Sequence, residues 1–286
     1  MLKTPLGIIK EGKPIAFQRG KELKTEWIVN NNILSFEIKN YDPSFELIID
    51  PPTRVWGTYY GGTAADIGTA CAVDTSNYVY LTGRTSSTGG TLIATSGSHQ
   101  STQGGSVDGF LVKLDSNGVR QWATYYGGTG YESPKHCSVN SFNDVYVTGY
   151  CNVTTGTVIA TAGAHQTTLG GTNDAFLVKF NSSGLRLWGT YYGGTGNDYG
   201  NGIISDALGN VYLAGTTVSS SGIATGTSHQ TSFGGSTGDG FLVKFNSSGV
   251  RQWGTYYGGG HYDNGNMCMV DETNNVYLVG YTNTGG

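Results

Sequence analysis

Short apolar runs alternate with clusters of glycine and small polar residues along most of the chain. Four such runs follow one another within one early stretch and have the length of β-strands: 68–74, 77–83, 109–115 and 119–126. The last two are separated by Asp-Ser-Asn-Gly at 115–118, a composition typical of a tight hairpin turn. The pattern therefore predicts four short antiparallel strands, with a long Ser/Thr/Gly loop at about 84–107 between the second and the third.

This four-strand pattern is repeated along the chain. Its most regular phrase, Trp-Gly/Ala-Thr-Tyr-Tyr-Gly-Gly, returns about every 66 residues and begins at Trp56, Trp122, Trp188 and Trp253. The phrases Val-Tyr-Leu/Val and Phe-Leu-Val-Lys recur in a fixed order between these tryptophans. Four antiparallel strands in a repeat of this length are typical of a β-propeller blade. We therefore predict an all-β fold of four-stranded antiparallel blades, in which the repeated tryptophans are structural.

The chain has too few repeats to close a propeller ring of the usual four to eight blades. The blades are predicted at about 68–128, 133–194 and 200–259, followed by a partial blade at 265–286. Residues 55–62 are predicted to form an isolated fourth strand ahead of the first blade. This amounts to about 3.5 repeats, whereas propellers typically have four to eight blades. We expect a truncated ring that is continued in a longer gene product.

The three recurring phrases resemble the bacterial beta-propeller repeat family, also called SBBP repeats, over about 55–286. The segments 5–18 and 33–52 resemble the end of the β-rich domain that precedes such propellers. This divides the chain into residues 1–52, the C-terminal part of that domain, and residues 53–286, the propeller repeats. The resemblance implies a secreted or surface-attached protein, and it says more about fold than about activity.

The composition of the chain limits the classes of partner that it can bind. The chain has 47 glycines and a net charge of −4, and only 13% of its residues are charged, about half the usual share. No basic region marks a nucleic-acid site, and no apolar run is long enough to span a membrane. The first 30 residues contain no signal peptide, so we expect that signal to lie outside this chain. We predict an extracellular or cell-surface location.

Two sets of acidic residues recur with the repeats. One carboxylate follows each glycine pair, at Asp66, Glu132, Asp198 and Asp263. A second opens each predicted third strand, at Asp108, Asp174 and Asp239. The first set are weak calcium candidates, because one carboxylate in each loop supplies few of the six to eight oxygen ligands that calcium takes. Turn capping is the favoured role of the first set, the second set is predicted to be structural, and no cofactor is predicted.

Cysteines and histidines also recur. Cys71, Cys137 and Cys268 share one repeat position with Ile203, which predicts a buried core site rather than a disulfide. His99, His165 and His229 each precede a glutamine in the long loop. Equivalent loop residues of different blades do not converge on one ion, so these His-Gln pairs are predicted to anchor each loop to its own blade.

No catalytic motif stands out. The chain has no GxSxG, HExxH or phosphate-binding loop, and its repeats are unusually uniform. We therefore predict a non-enzymatic scaffold that binds protein or carbohydrate through loops 84–107, 150–173 and 216–238. One alternative is a polysaccharide-active enzyme whose site lies in missing blades, which a close pair of carboxylates in the central channel would favour. Another alternative is a calcium-stabilised structural repeat.

Overall fold

A computed structural model describes residues 2–4, 7–9, 15–30, 33–50, 56–152, 158–235 and 237–283. The chain divides into two compact units, Met1–Gly57 and Thr58–Gly286. Every regular element in the described residues is a β-strand, apart from one helical turn in a loop.

The first unit contains seven short strands: β1 (Leu2–Thr4), β2 (Gly7–Ile9), β3 (Ile15–Gln18), β4 (Lys21–Leu23), β5 (Thr25–Asn30), β6 (Ile33–Ile38) and β7 (Ile48–Asp50). β3 lies between β4 and β7, while β1 pairs with β2 and β5 with β6. Arg19 and Gly20 both have positive φ, as a two-residue hairpin turn between β3 and β4 requires. The Gln18 side chain ties β3 to the loop between β6 and β7, because its amide donates to the carbonyls of Asp42 and Phe45.

The second unit consists of three four-stranded sheets and one two-stranded sheet. The first sheet contains β8 (Asp66–Val73), β9 (Val79–Thr85), β10 (Asp108–Leu114) and β11 (Arg120–Tyr126), with the helical turn α1 (Gly90–Ile93) in its long loop. The second contains β12 (Glu132–Val139), β13 (Val145–Cys151), β14 (Asp174–Phe180) and β15 (Arg186–Tyr192). The third contains β16 (Asp198–Ser205), β17 (Val211–Thr217), β18 (Asp239–Phe245) and β19 (Arg251–Tyr257). The last contains β20 (Asp263–Val270) and β21 (Val276–Thr282).

Each sheet of the second unit is antiparallel, and its strands follow in sequence order. The predicted four-stranded blades are therefore confirmed, with strand ends about two residues from the predicted ones. First strands of successive blades lie next to one another, so β12 contacts both β8 and β16, and β16 contacts β20. The row of sheets is not closed into a ring.

The predicted front strand is wrong for the residues that the structure describes, because 56–62 contain no strand. The segment nevertheless keeps one contact of a fourth strand. The Tyr60 hydroxyl donates to the carbonyl of Ile93, as Tyr126 does to Ile159 in the next repeat. No third strand lies beside this segment among the described residues, so it makes no ladder hydrogen bonds there.

Blades stack through aromatic side chains. The ring of Tyr126, from the first blade, lies 5.5 Å from Phe176 and 5.9 Å from Phe180 of the second blade. Tyr192 repeats these contacts with Phe241 and Phe245. The apolar third strand of the second blade, β14, is buried along its whole length because a neighbouring blade covers each face of its sheet.

The repeat position that carries cysteine in three repeats shows that burial depends on a neighbouring blade. Cys137, Ile203 and Cys268 are buried, as predicted for a core site, but Cys71 is exposed. The prediction is wrong for Cys71 because β8 belongs to the first blade, and no described sheet covers its outer face.

Candidate functional site

The two sets of recurring acids meet at the junctions between blades. A Cβ atom placed on Gly127 would lie 2.2 Å from Glu132 Oε2 and 2.7 Å from Asp108 Cγ. The acid that opens the third strand of the first blade therefore faces the acid that opens the second blade. Both carboxylates are fully buried. A glycine is required at this point because any side chain would collide with them.

The arrangement repeats at the next two junctions. A Cβ atom on Gly193 would lie 2.5 Å from Asp198 Oδ2 and 2.8 Å from Asp174 Cγ. At the third junction, Gly258 separates Asp239 from Asp263 in the same way. Asp66, at the open end of the first blade, has no partner from a preceding blade among the described residues. Each acid of one set is thus paired with an acid of the other set wherever two blades adjoin.

The acid of the third strand fixes the long loop that precedes it. Asp108 Oδ2 accepts hydrogen bonds from the Gly104 amide at 2.8 Å and from Gln100 Nε2 at 2.9 Å, and Oδ1 accepts from the Gly105 amide at 3.0 Å. Gln100 Oε1 in turn accepts from the Gly127 amide at 3.0 Å. Asp174 and Gln166 make the same contacts in the second blade. Glutamine and aspartate together attach the loop to its own blade.

The first-strand acid caps the preceding glycine pair. Asp66 Oδ2 accepts from the Gly62 amide, and Asp198 Oδ2 accepts from the Gly194 amide, both at 2.8 Å. Serines on the loop side add a second donor to each, since Ser87 Oγ donates to Asp66 and Ser219 Oγ to Asp198.

Glu132 departs from this arrangement. Asp66 and Asp198 lie opposite Thr85 and Thr217 in the strand ladder, whereas Glu132 lies opposite Cys151. Neither Glu132 carboxylate oxygen has a hydrogen-bond partner in the described part of the chain. Burial, with a smaller contribution from the charge of Asp108, raises the pKa of Glu132 to about 8. Glu132 is therefore protonated at neutral pH.

Burial also raises the pKa of the carboxyl groups of Asp108, Asp174, Asp198 and Asp239. Their hydrogen bonds from amides oppose this shift. An oxygen that already accepts an amide N–H has less capacity for a metal ion, so loop attachment suits these aspartates better than calcium ligation does. No group of three or more metal-ligating side chains occurs within the described ranges.

Two of the three loop histidines, His99 and His165, contact two blades rather than one. The ring of His99 lies 6.2 Å from Tyr126 of its own blade and 5.7 Å from Phe180 of the next. Burial lowers the pKa of His99 to about 4, so the ring is neutral at pH 7. His165 makes the equivalent contacts, whereas the ring contact of His229 in the described structure is with Tyr257 of its own blade.

The repeated tryptophans fasten neighbouring blades together. Trp122 Nε1 donates to the Ser182 carbonyl at 2.9 Å, and Trp188 Nε1 donates to the Ser247 carbonyl at 3.1 Å. Each acceptor belongs to the Asn-Ser-Ser-Gly hairpin of the following blade. Trp253 lies on the last complete blade and makes no such bond among the described residues, and Trp56 is half-buried outside any strand.

Sequence reasoning missed a cluster near the loop end of the inner strands. Arg84 Nη1 donates to the Tyr131 hydroxyl at 2.7 Å, and the Tyr131 ring stacks 6.0 Å from Tyr150. The Tyr150 ring meets Tyr199 edge-on at 4.9 Å, and Lys135 Nζ lies 5.4 Å from the Tyr150 ring. The signal that could have found this cluster is a difference between repeats, because none of these five residues recurs in all four.

Comparison with known proteins agrees with this architecture. Residues 187–222, which run from the fourth strand of the second blade into the third blade, match a family model described as a beta-propeller repeat. The chain carries beta-propeller repeats. Residues 1–52 match a domain of unknown function, DUF7948. A search of curated proteins gave no match.

Beta-propeller repeats provide a general binding scaffold, because rigid sheets support loops of variable sequence. In the beta-propeller repeats of this chain, the carboxylate pairs and tryptophans hold blades and loops together. Among the described residues, no helix has the length and apolar character needed to cross a bilayer.

Proposed function

We propose that the chain is a non-enzymatic binding scaffold, secreted or held at the cell surface, whose blade loops bind protein or carbohydrate. The observation that carries this proposal is the fixed attachment of the loops. Gln100 and Asp108 hold residues 100–108 of one loop against their blade, and Gln166 and Asp174 hold residues 166–174 of the next in the same way. A loop that is already ordered loses little conformational entropy when it binds a partner.

The exposed loop surface is polar and almost uncharged. Ser101 and Thr102 are exposed at the loop tip, directly beside the buried attachment. A groove of about 440 Å³ runs from this loop to the following blade, with His99, Gln103 and Arg186 among its lining residues. Hydroxyls, amides and a small number of cations suit the many hydroxyl groups of a carbohydrate or the polar rim of a protein interface.

Binding without catalysis also agrees with the surroundings of the carboxylates. A glycosidase needs two carboxyl groups that reach the scissile bond from either side. Asp108 and Glu132 form a close pair, but both are fully buried between two blades and face a glycine backbone. The same pairing recurs at three junctions, as structural residues do. This supports the scaffold over the polysaccharide-active enzyme.

A glycan array probed with the purified chain tests the proposal. We expect saturable binding to some glycans, with no release of reducing ends when those glycans are incubated with the protein. The double variant S101R/T102R, at a loop tip, should weaken binding about tenfold or more. The matched variant S116R/N117R, in a hairpin at the other end of the same sheet, should bind as wild type.

Two results would overturn this proposal. Reducing-end release that survives purification of the protein to homogeneity would favour an enzyme. Equal binding by both double variants would remove the loops from the contact surface.

The proposed location is tested by fractionating cells that express the complete gene. Recovery of the protein only from the cytosol would contradict a secreted or surface-held protein.

A further inference from the structure

The four repeats differ most in their innermost strands. The third and fourth strands are nearly identical from blade to blade, with Phe-Leu-Val-Lys kept three times. By contrast, the second position of the first strand carries a different residue in every repeat, at Ile67, Ser133, Tyr199 and Asn264. Its ladder partner at the end of the second strand also changes, at Arg84, Tyr150, Thr216 and Tyr281. Repeat proteins commonly place such differences on their binding surface, because structural positions must stay uniform.

These changing positions meet in space. Arg84, Tyr131, Lys135, Tyr150 and Tyr199 form one connected cluster across the first three blades, which we call the axial patch. All five side chains are half-buried, so each keeps some surface toward solvent. The patch lies at the same end of the sheets as the proposed binding loops, because Arg84 pairs with Gly109 next to the start of β10.

A backbone irregularity positions the lysine. Every first strand has a β-bulge at the same place, and in β12 the bulge lies between Pro134 and His136. Lys135 is the extra residue there, so its side chain is turned out of the regular alternation and lies over the Tyr150 ring. Bulges often serve to redirect a side chain at a functional site. Asn201 occupies the equivalent bulge in the third blade.

The patch carries positive charge that the described structure does not neutralise. No described carboxylate lies within 4.0 Å of Arg84 or Lys135. Arg84 is instead held by its hydrogen bond to the Tyr131 hydroxyl, and Lys135 by a cation–π contact with the Tyr150 ring.

We propose that the axial patch binds an acidic saccharide that contains uronic acid residues. Tyrosine rings offer flat surfaces for the apolar faces of sugar rings, while Arg84 and Lys135 supply the charge and the hydrogen bonds that carboxylates require. The Asn201 amide at the equivalent bulge of the next blade is already engaged, because its Nδ2 donates to the Gly265 carbonyl at 3.0 Å and lies within hydrogen-bond distance of Thr216 and Asn264, so Arg84 and Lys135 are the donors offered to the ligand. This inference rests on the proposed binding function and names its ligand class and its central contact.

Isothermal titration of the full chain with an oligogalacturonate tests the inference, with the fully methyl-esterified oligomer as matched ligand. The ester keeps the sugar rings and removes the carboxylate charge. We expect the acid form to bind at least about tenfold more tightly than the ester, with an affinity that falls as salt is added. The double variant R84Q/K135Q should lose this preference, and R84K, which keeps the charge, should retain most of it.

The variant R120Q is the matched protein control. Arg120 pairs with Leu114 at the opposite end of the same sheet, so R120Q removes one positive charge, as R84Q alone would and half of what R84Q/K135Q removes, and leaves the patch intact. R120Q should bind as wild type, and circular dichroism should show that every variant is folded. Equal affinity for acid and ester, or an equal loss in R120Q and R84Q/K135Q, would overturn the inference.

The proposed function can survive that failure. If the oligogalacturonate does not bind while the array identifies another ligand that is sensitive to S101R/T102R, the axial inference is wrong and the loop scaffold stands. If acid binding depends on Arg84 and Lys135 but not on the loop tip, the axial patch is the binding site and the loop contact is wrong.

Discussion

Glu132 differs from the acids at the same position in the other repeats, and its longer side chain changes its chemistry. Asp66 and Asp198 each receive hydroxyl and amide donors, whereas Glu132 faces Cys151 and Asp108. A buried carboxyl group without donors is more stable with its proton than without it. The folded chain therefore holds this proton at neutral pH, and the unfolded chain releases it.

This difference predicts how stability depends on pH. The pKa of Glu132 rises from the ordinary 4.5 to about 8 in the folded chain. Its contribution to the free energy of unfolding is therefore fully present below pH 4.5 and is lost as the pH rises to about 8. E132Q removes this titration and should stabilise the protein at pH 8 by about 2–4 kcal/mol relative to wild type.

Denaturant unfolding of both proteins at several pH values from 5 to 9 measures this effect. Wild type should lose stability relative to E132Q across that range. The control E272Q, at an exposed position in the hairpin between β20 and β21, should run parallel to wild type. Parallel curves for E132Q and wild type would show that Glu132 is ionised in the folded protein.

At the scale of the element, the first glycine of the pair after each fourth strand is required by the acids beside it. A Cβ on Gly193 would lie 2.5 Å from Asp198 Oδ2, and both acids there belong to rigid strand ends. G193A should therefore destabilise the protein by about 2 kcal/mol or more, through displacement of a buried carboxylate. Gly226 has open space around it, so G226A should change stability by less than about 0.5 kcal/mol. Thermal unfolding compares the two, and equal losses would contradict this account of the glycine pair.

Contacts between elements offer a second matched comparison. Trp188 and Trp253 occupy the same repeat position and pack on Tyr146 and Tyr212 at nearly the same distance. Only Trp188 also donates to a hairpin of the following blade, through Nε1 to Ser247. W188F should cost about 1–2 kcal/mol more than W253F in the free energy of unfolding. If the two variants lose the same stability, the bond between blades contributes nothing measurable.

The strands and their order could be predicted from the sequence because turn residues and strand patterns are local signals. Hairpins such as Asp115–Gly118 depend on neighbouring residues only, and repetition made the assignment firm. The pairing of Asp108 with Glu132 could not be predicted, since it depends on how far one blade is rotated from the next. The burial of Cys71 could not be predicted for the same reason. Its repeat position is that of a core residue, but whether the side chain is buried depends on a neighbouring sheet.

At the scale of the whole molecule, stability should follow the number of neighbours that each blade has. The middle sheets are covered on both faces, so Tyr146 and Tyr212 are almost completely buried. In the two-stranded last sheet the equivalent Tyr277 is 54% exposed, and Val279 is equally open. In repeat proteins each unit is stabilised mainly by contacts with its neighbours, so β20 and β21 should open more easily than the rest of the second unit.

Hydrogen exchange followed by mass spectrometry measures this gradient. We expect the slowest exchange in β13, β14, β17 and β18, which lie inside four-stranded sheets with blades on either side. β21 should exchange at least about tenfold faster than β17, although the two strands have nearly the same sequence. Because the two sequences differ at only two of seven positions, intrinsic exchange rates nearly cancel in this comparison. The difference then reports packing together with the ladder bonds to a second neighbouring strand, which β17 makes to β18 and β21 does not make among the described strands. Equal protection of the two strands would mean that the last sheet is covered in solution, for instance by another copy of the chain.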